Sequence, residues 1–138
     1  MKTSYTIALI ALGTGLALPC HAHHSTAVNF DRDSIISVEG VIADYKFQNP
    51  HVQVLLDVMS ENGDVEIWMV ELSAKSQLVR SGWTGNEFEK GQVITIFGWE
   101  GYRERSAYLR RAILPDGTEL QPPQLLTERP RRPFRREQ

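Results

Sequence analysis

Ile36-Ser37-Val38-Glu39-Gly40-Val41-Ile42-Ala43-Asp44-Tyr45-Lys46-Phe47 is the stretch that decides the fold. Ile36 and Val38 alternate with polar neighbours, whereas beyond Gly40 the apolar set Val41, Ala43, Tyr45 and Phe47 falls on odd positions. Side chains of a strand alternate between two faces, so a change of parity means one residue has been inserted into the pleat. Glycine has no Cβ to obstruct such a kink. The pattern therefore predicts a long first strand, bent at Gly40.

Working outward, Asn49-Pro50 is a turn pair, and Val52, Val54, Leu56 and Val58 then alternate with their neighbours as a half-buried strand. Glu61-Asn62-Gly63-Asp64 reads as a hairpin turn, with Asn-Gly accepting positive φ at both central positions. The return strand runs from Val65 to about Leu72. Ser73 is placed to cap a short helix through Gln77, Leu78 and Val79 that stops at Gly82, and Thr84 with Glu87 forms a second helix-start pattern closed by Gly91. Gln92 to Trp99 is a fourth strand, apolar on both faces, and Ala107 to Leu114 a fifth before the Pro115-Asp116-Gly117 turn. Three strands, a helix and two more strands, with a kink in the first, is the order of an all-β, OB-like five-stranded barrel with one or two short helices. Closure also removes the exposed edges that five strands would otherwise carry. A small sandwich or an open sheet with one helix has the same element order.

The chain has 138 residues, 41% hydrophobic and 23% charged, which suits one ordinary globular domain. Lys2 followed by the uncharged run Ile7 to Leu18, then Pro19-Cys20-His21-Ala22, has the form of a secretory signal peptide. The expected organisation is a signal peptide at 1–22, an OB-like domain at 23–120, and a Pro/Arg-rich disordered tail at 121–138 with Arg129, Arg131, Arg132, Arg135 and Arg136. Cleavage after Ala22 removes the single cysteine and delivers a soluble periplasmic or secreted protein. A lipoprotein acylated on Cys20 is the competing frame. No later stretch approaches the roughly 20 apolar residues of a spanning helix.

The histidines carry the chemistry. Three of the four, His21, His23 and His24, crowd the processing site, and His51 stands alone on the body. A first-residue His23 offers its free amine and its imidazole to one metal ion, and His24 or His51 can supply a third nitrogen. A planar nitrogen set favours Cu(II). Were the cut after Cys20, His21-Ala22-His23 would still form an amino-terminal copper site. The bland alternatives are a polar lead-in for the cluster and rim packing for His51. Glu71 is a fourth ligand, a partner for His51, or a solvent-facing acid. Between the last two strands Tyr102-Arg103-Glu104-Arg105 occupies a loop that lines the usual OB ligand groove. Arg103 and Arg105 are thus ligand-binding candidates, or else cations answered by Glu100 and Glu104. Residues 23–124 hold nine basic against fifteen acidic side chains, so the body and its export argue against nucleic acid. The basic tail remains suited to weak contact with an anionic surface.

His23-His24-Ser25, Phe30-Asp31, Glu39-Gly40, Asn49-Pro50-His51, the Trp68 to Glu71 stretch, Gly82-Trp83-Thr84, Gly91-Gln92 and Leu114-Pro115-Asp116-Gly117 together resemble a family of small exported bacterial proteins of unknown function. The resemblance spans about residues 21 to 120. It implies an exported single-domain β protein with an Ala-His-His-Ser start, and it carries over no catalytic residues.

Nucleophile-elbow, phosphate-loop and zinc-protease patterns are missing from the sequence. Three functions follow from these residues: a binding module holding an unknown ligand, with copper at its mature N-terminus; a copper-dependent oxidase or oxygenase using the same ligands; or a structural protein that contacts another envelope protein.

Overall fold

The computed structural model describes residues 26–123. The expected signal peptide, Cys20, His21, His23, His24 and the arginine tail lie outside these described residues.

A short 3-10 turn, Thr26–Val28, leads into β1 (Phe30–Lys46), followed by β2 (Gln53–Met59), β3 (Val65–Glu71), α1 (Lys75–Arg80), β4 (Val93–Gly101), β5 (Ser106–Ile113) and β6 (Glu119–Leu120). The strand order is β3-β2-β1-β4-β5-β6, and β3 also pairs with β5. Every pairing is antiparallel except that one, where Met69, Val70 and Glu71 run parallel to Ser106, Ala107 and Tyr108. Strands β1 to β5 thereby close into a ring, with the helix between β3 and β4. This is the OB-type barrel.

The parity change in β1 is present but sits elsewhere. Val38 and Ile42 are both buried, whereas Val41 is 39% exposed, so the inward phase runs on through Gly40. The register slips between Ile42 and Asp44, where Ala43 has no partner on β2. Beyond it Tyr45 and Phe47 pack on the core. Gly40 serves a different end. A Cβ there would lie 2.8 Å from the Asp57 carbonyl oxygen and 2.9 Å from Val58 Cγ2, so glycine is needed for close approach of β2. Gly98 is tighter still, since a Cβ would come within 2.5 Å of the Tyr108 carbonyl oxygen.

The inward residues of all five barrel strands, among them Ile42, Leu56, Val70, Ile96 and Leu109, form one core that Leu72, Leu78, Trp83 and Phe88 extend under the helix and the loop behind it. A second cluster, of Phe30, Trp99 and Tyr108, is separate from this core; Tyr108 lies between the core residues Ala107 and Leu109 and so is on the other face of β5. The Trp99 and Tyr108 rings stack at 5.5 Å, and the Arg110 guanidinium lies 4.2 Å from the Trp99 centroid.

Three local expectations are corrected. In the β2–β3 hairpin only Gly63 adopts positive φ; the Gly63 N–H donates to the Ser60 carbonyl and the Ser60 N–H to that of Asp64, a three-residue loop rather than a two-residue one. Ser73 does not cap α1. Its hydroxyl is buried and 3.0 Å from that of Tyr108, and Ala74 holds the N-cap position without a side-chain bond. The stop at Gly82 is as expected, with the Trp83 N–H donating to Leu78 and the Gly82 N–H to Val79. Finally, Thr84 and Glu87 make the contacts of a capping box without a helix behind them. Glu87 accepts from the N–H groups of Thr84 at 2.5 Å and Gly85 at 2.8 Å, and from the Tyr45 hydroxyl at 3.3 Å. One carboxylate thus ties the 84–91 loop to β1. The sequence reading also omitted β6, a two-residue strand whose Leu120 packs on the core.

Two consequences are measurable. Gly98→Ala should destabilise the barrel by about 1–3 kcal/mol in urea unfolding, because the obstructing atom is backbone and cannot rotate away. Partial burial pushes the Glu87 carboxyl pKa up, but the Thr84 and Gly85 N–H groups outweigh it, and the pKa sits below the ordinary value of 4.5. A folded-state pKa below the unfolded one stabilises at higher pH. Wild type should therefore exceed Glu87→Gln by a constant margin above the ordinary carboxylate range, and the margin should shrink as pH falls through the folded-state value.

Candidate functional site

Glu71 ends β3 at the seam where the barrel closes, opposite Gln53 of β2 on one side and Tyr108 of β5 on the other. It belongs to the outward set of β3, because Val70 and Leu72 on either side are fully buried. Its side chain is nonetheless only 12% exposed. A carboxylate so far removed from water needs a partner. That partner is His51, whose Nδ1 meets Glu71 Oε1.

The β1–β2 loop brings His51 there. The peptide bond between Asn49 and Pro50 is cis, and the Asn49 side-chain oxygen accepts from the Ser76 N–H at 3.3 Å in the first turn of α1. On the other flank Val52 is bonded in both directions to the end of β3: its N–H donates to the Ser73 carbonyl at 3.2 Å, and its carbonyl accepts from the Leu72 N–H at 2.8 Å. His51 is thus held between a helix start and a strand pair. With Nδ1–H given to a carboxylate, Nε2 is left as the ring's lone-pair donor, the arrangement by which metal-ligating imidazoles are oriented.

The chain enters the barrel beside this pair. Val28, Asn29 and Phe30 line a cavity of about 260 Å³ with Met69, Glu71, Tyr102, Arg103 and Ser106. The Tyr102 N–H donates to the Asn29 carbonyl at 3.0 Å, pinning the entering segment to the β4–β5 loop. Thr26 is held as well, its hydroxyl bonded by the Arg32 guanidinium. His24 is two residues before Thr26 in the chain.

The remaining sequence candidates fall as follows. Arg103 and Arg105 stand on the β4–β5 loop, close to the Glu71 cavity. Arg105 is answered by Glu66 of β3 at 3.1 Å, not by Glu100 or Glu104, and this partner keeps its guanidinium pKa above the ordinary value. Glu100 instead accepts from the Ser34 hydroxyl at 2.9 Å. Arg103 is exposed, and its carbonyl accepts from the Ser106 hydroxyl at 2.6 Å. Among the described residues no group of three or more His, Cys, Asp or Glu could hold a metal ion, so His51 and Glu71 alone do not make a metal centre. Trp83 and Trp99 are buried and Trp68 packs on the core, as a packing role requires. Sequence reasoning missed that Val28 to Phe30 wall the site and that Tyr108 underlies it. The only signal was the apolar Val28 and Phe30 so soon after the histidines.

Residues 12–108 match a family of unknown function (DUF6152), and the chain belongs to that family. No curated protein matches it. Among solved structures it is similar to the mitochondrial single-stranded DNA binding protein Rim1 from S. cerevisiae, at 12% identity and a TM-score of 0.46, over 59% of this chain and 93% of that one. Among the described residues no helix is long and apolar enough to cross a membrane.

The His51–Glu71 hydrogen bond fixes a tautomer that can be read directly. Long-range 15N spectra at neutral pH should place the proton of His51 on Nδ1, and Glu71→Ala should move the ring towards the Nε2–H form. An Nε2–H ring in the wild type would contradict the pairing.

Proposed function

We propose that this DUF6152 member is exported and, once processed after Ala22, acts as a small periplasmic or secreted binding protein that holds Cu(II) through its N-terminus. His23 supplies the free amine and its imidazole, and His24 or His51 Nε2 completes the nitrogen set. The observation that carries the reading is the shared cavity: the segment entering from the histidine cluster and the carboxylate that orients His51 line one wall. His24 lies two residues before the held Thr26, so its reach from there is at most about 7 Å of extended chain.

The roles divide cleanly on this reading. A chelate closed by the amine and imidazole of one residue requires a free first residue, so signal cleavage creates the site. Planar nitrogen donors place Cu(II) above the other first-row divalent ions. Glu71 is a positioning residue: it fixes the His51 tautomer and ring orientation without touching the ion.

Intact-mass analysis of exported protein followed by copper titration tests the proposal. The mature mass should correspond to residues 23–138, with one tight Cu(II) equivalent. His23→Ala should abolish tight binding, and Glu71→Gln should weaken it by about 10- to 100-fold. A mature chain beginning elsewhere, or titrations unchanged by His23→Ala, would overturn it, and steady oxidation of added ascorbate by the loaded protein would replace the binding role with an oxidase.

A further inference from the structure

The outer face of the β2–β3 hairpin breaks the rule that a water-facing strand surface is polar. Met59, Val65 and Ile67 are 68, 60 and 63% exposed. The register sets Met59 against Val65 and Leu55 against Met69, with Ile67 between them on β3 and the carboxylate Asp57 opposite it on β2, so the apolar run is unbroken on β3 and interrupted once on β2. Val41 of β1 and Val93 of β4, paired with each other and also exposed, extend it around the barrel. A strip this long on a small barrel marks a binding surface rather than scattered exposure.

One end of the strip is walled. The β4–β5 loop is fastened over it by the Met69 N–H donating to the Arg105 carbonyl at 2.9 Å. Leu55, Ile67 and Met69 form the floor, and Arg103, Glu104 and Arg105 the rim, of an open trough of about 600 Å³. That volume lies within the range of small-molecule sites, which pair an apolar lining with a few placed charges. The charges are unequal. Arg105 is bonded to Glu66 and also feels Glu104. Arg103 makes no ion pair or side-chain hydrogen bond among the described residues, and it borders both this trough and the Glu71 cavity.

We propose that the trough binds a single-chain anionic amphiphile, its acyl chain on Leu55, Ile67 and Met69 and its carboxylate on Arg103. Arg103, with no ion-pair partner among the described residues, is the cation placed to receive the carboxylate. No aromatic ring lines the trough, so it lacks the stacking platform that single-stranded nucleic acid uses. An anionic bilayer is the weaker partner for the barrel body, where residues 23–124 carry fifteen acidic against nine basic side chains, and any contact with one falls to the basic tail rather than the trough.

Calorimetric titration of the mature protein with dodecanoate, dodecyl maltoside and dodecyltrimethylammonium, all below their micellar concentrations, tests this. Dodecanoate should bind at one equivalent and more tightly than either control, with each added methylene worth about two- to fourfold in affinity. Arg103→Gln should weaken dodecanoate about tenfold and leave the maltoside unchanged. Ile67→Asp, an exposed substitution that spares the core, should remove binding of both. The same titrations on His23→Ala should be unaltered, which separates this site from the metal. Equal affinity for the neutral detergent, no effect of Arg103→Gln, or co-sedimentation with phosphatidylglycerol vesicles in place of monomer binding would each overturn the proposal.

Discussion

Everything at this site depends on three residue pairs. Met69, Val70 and Glu71 of β3 run alongside Ser106, Ala107 and Tyr108 of β5, and this short parallel ladder is what turns the five-strand order β3-β2-β1-β4-β5 into a closed barrel. Without it the ends of β3 and β5 would be open edges, and edges invite pairing with other chains. The same ladder fixes the seam at which the β1–β2 loop, the β4–β5 loop and the entering N-terminal segment converge. Closure and site are therefore one event. Tyr108 illustrates the overlap: its ring stacks on Trp99 and lies tilted against Phe30, while its hydroxyl meets Ser73 just beyond Glu71 in the chain.

Strand β3 divides its labour by parity. Its even members Trp68 and Val70, with Leu72 beyond, face the core, and its odd members Val65, Ile67, Met69 and Glu71 face outward. The outward set runs from apolar to acidic along the strand, so the apolar trough and the oriented histidine are successive features of one surface, meeting at Met69 and Arg103. A register slip of one residue would exchange these faces wholesale. That exchange is opposed by the full burial of Val70 and its β2 partner Val54, of Leu56 opposite Trp68, and of Leu72 bonded to Val52. Core packing thus maintains the placement of groups that contribute little to stability themselves.

How much of this was legible in the sequence follows from which signals are local. Alternation across Val52 to Val58 and the order of elements are local and gave the barrel. The parity change in β1 was legible in kind but misplaced, because Val41 is apolar yet exposed and Gly40 suggests a kink. What sets the slip at Ala43 is its lack of a β2 partner, a non-local fact. Ser73 and the Thr84–Glu87 pair misled for a related reason. Hydroxyls and carboxylates that satisfy helix N–H groups satisfy other partners equally well, and here a tyrosine hydroxyl and a tight loop took them. Strand β6 is too short for any periodicity to register. Of the site, His51 and Glu71 were each singled out, but their pairing was only one option among several. The walls contributed by Val28 to Phe30 were invisible, since a cavity is a property of the closed barrel.

The buried placement of Glu71 bears on why the pair exists at all. A glutamate at the end of an outward strand position would ordinarily extend into water at no cost, and an isolated histidine on a loop needs no carboxylate. Here both are withdrawn, the acid more than the base, and the loop is anchored on both flanks so that they meet. Removing a carboxylate from water costs more than an exposed ion pair returns. If stability alone had shaped this position, an apolar residue matching Met69 would serve better beside Tyr108. Retaining an acid where it must be compensated, and compensating it with the one histidine of the barrel body, makes sense when the unbonded Nε2 has a task. The entering residues Val28, Asn29 and Phe30 line a cavity together with Glu71, the partner that holds the ring.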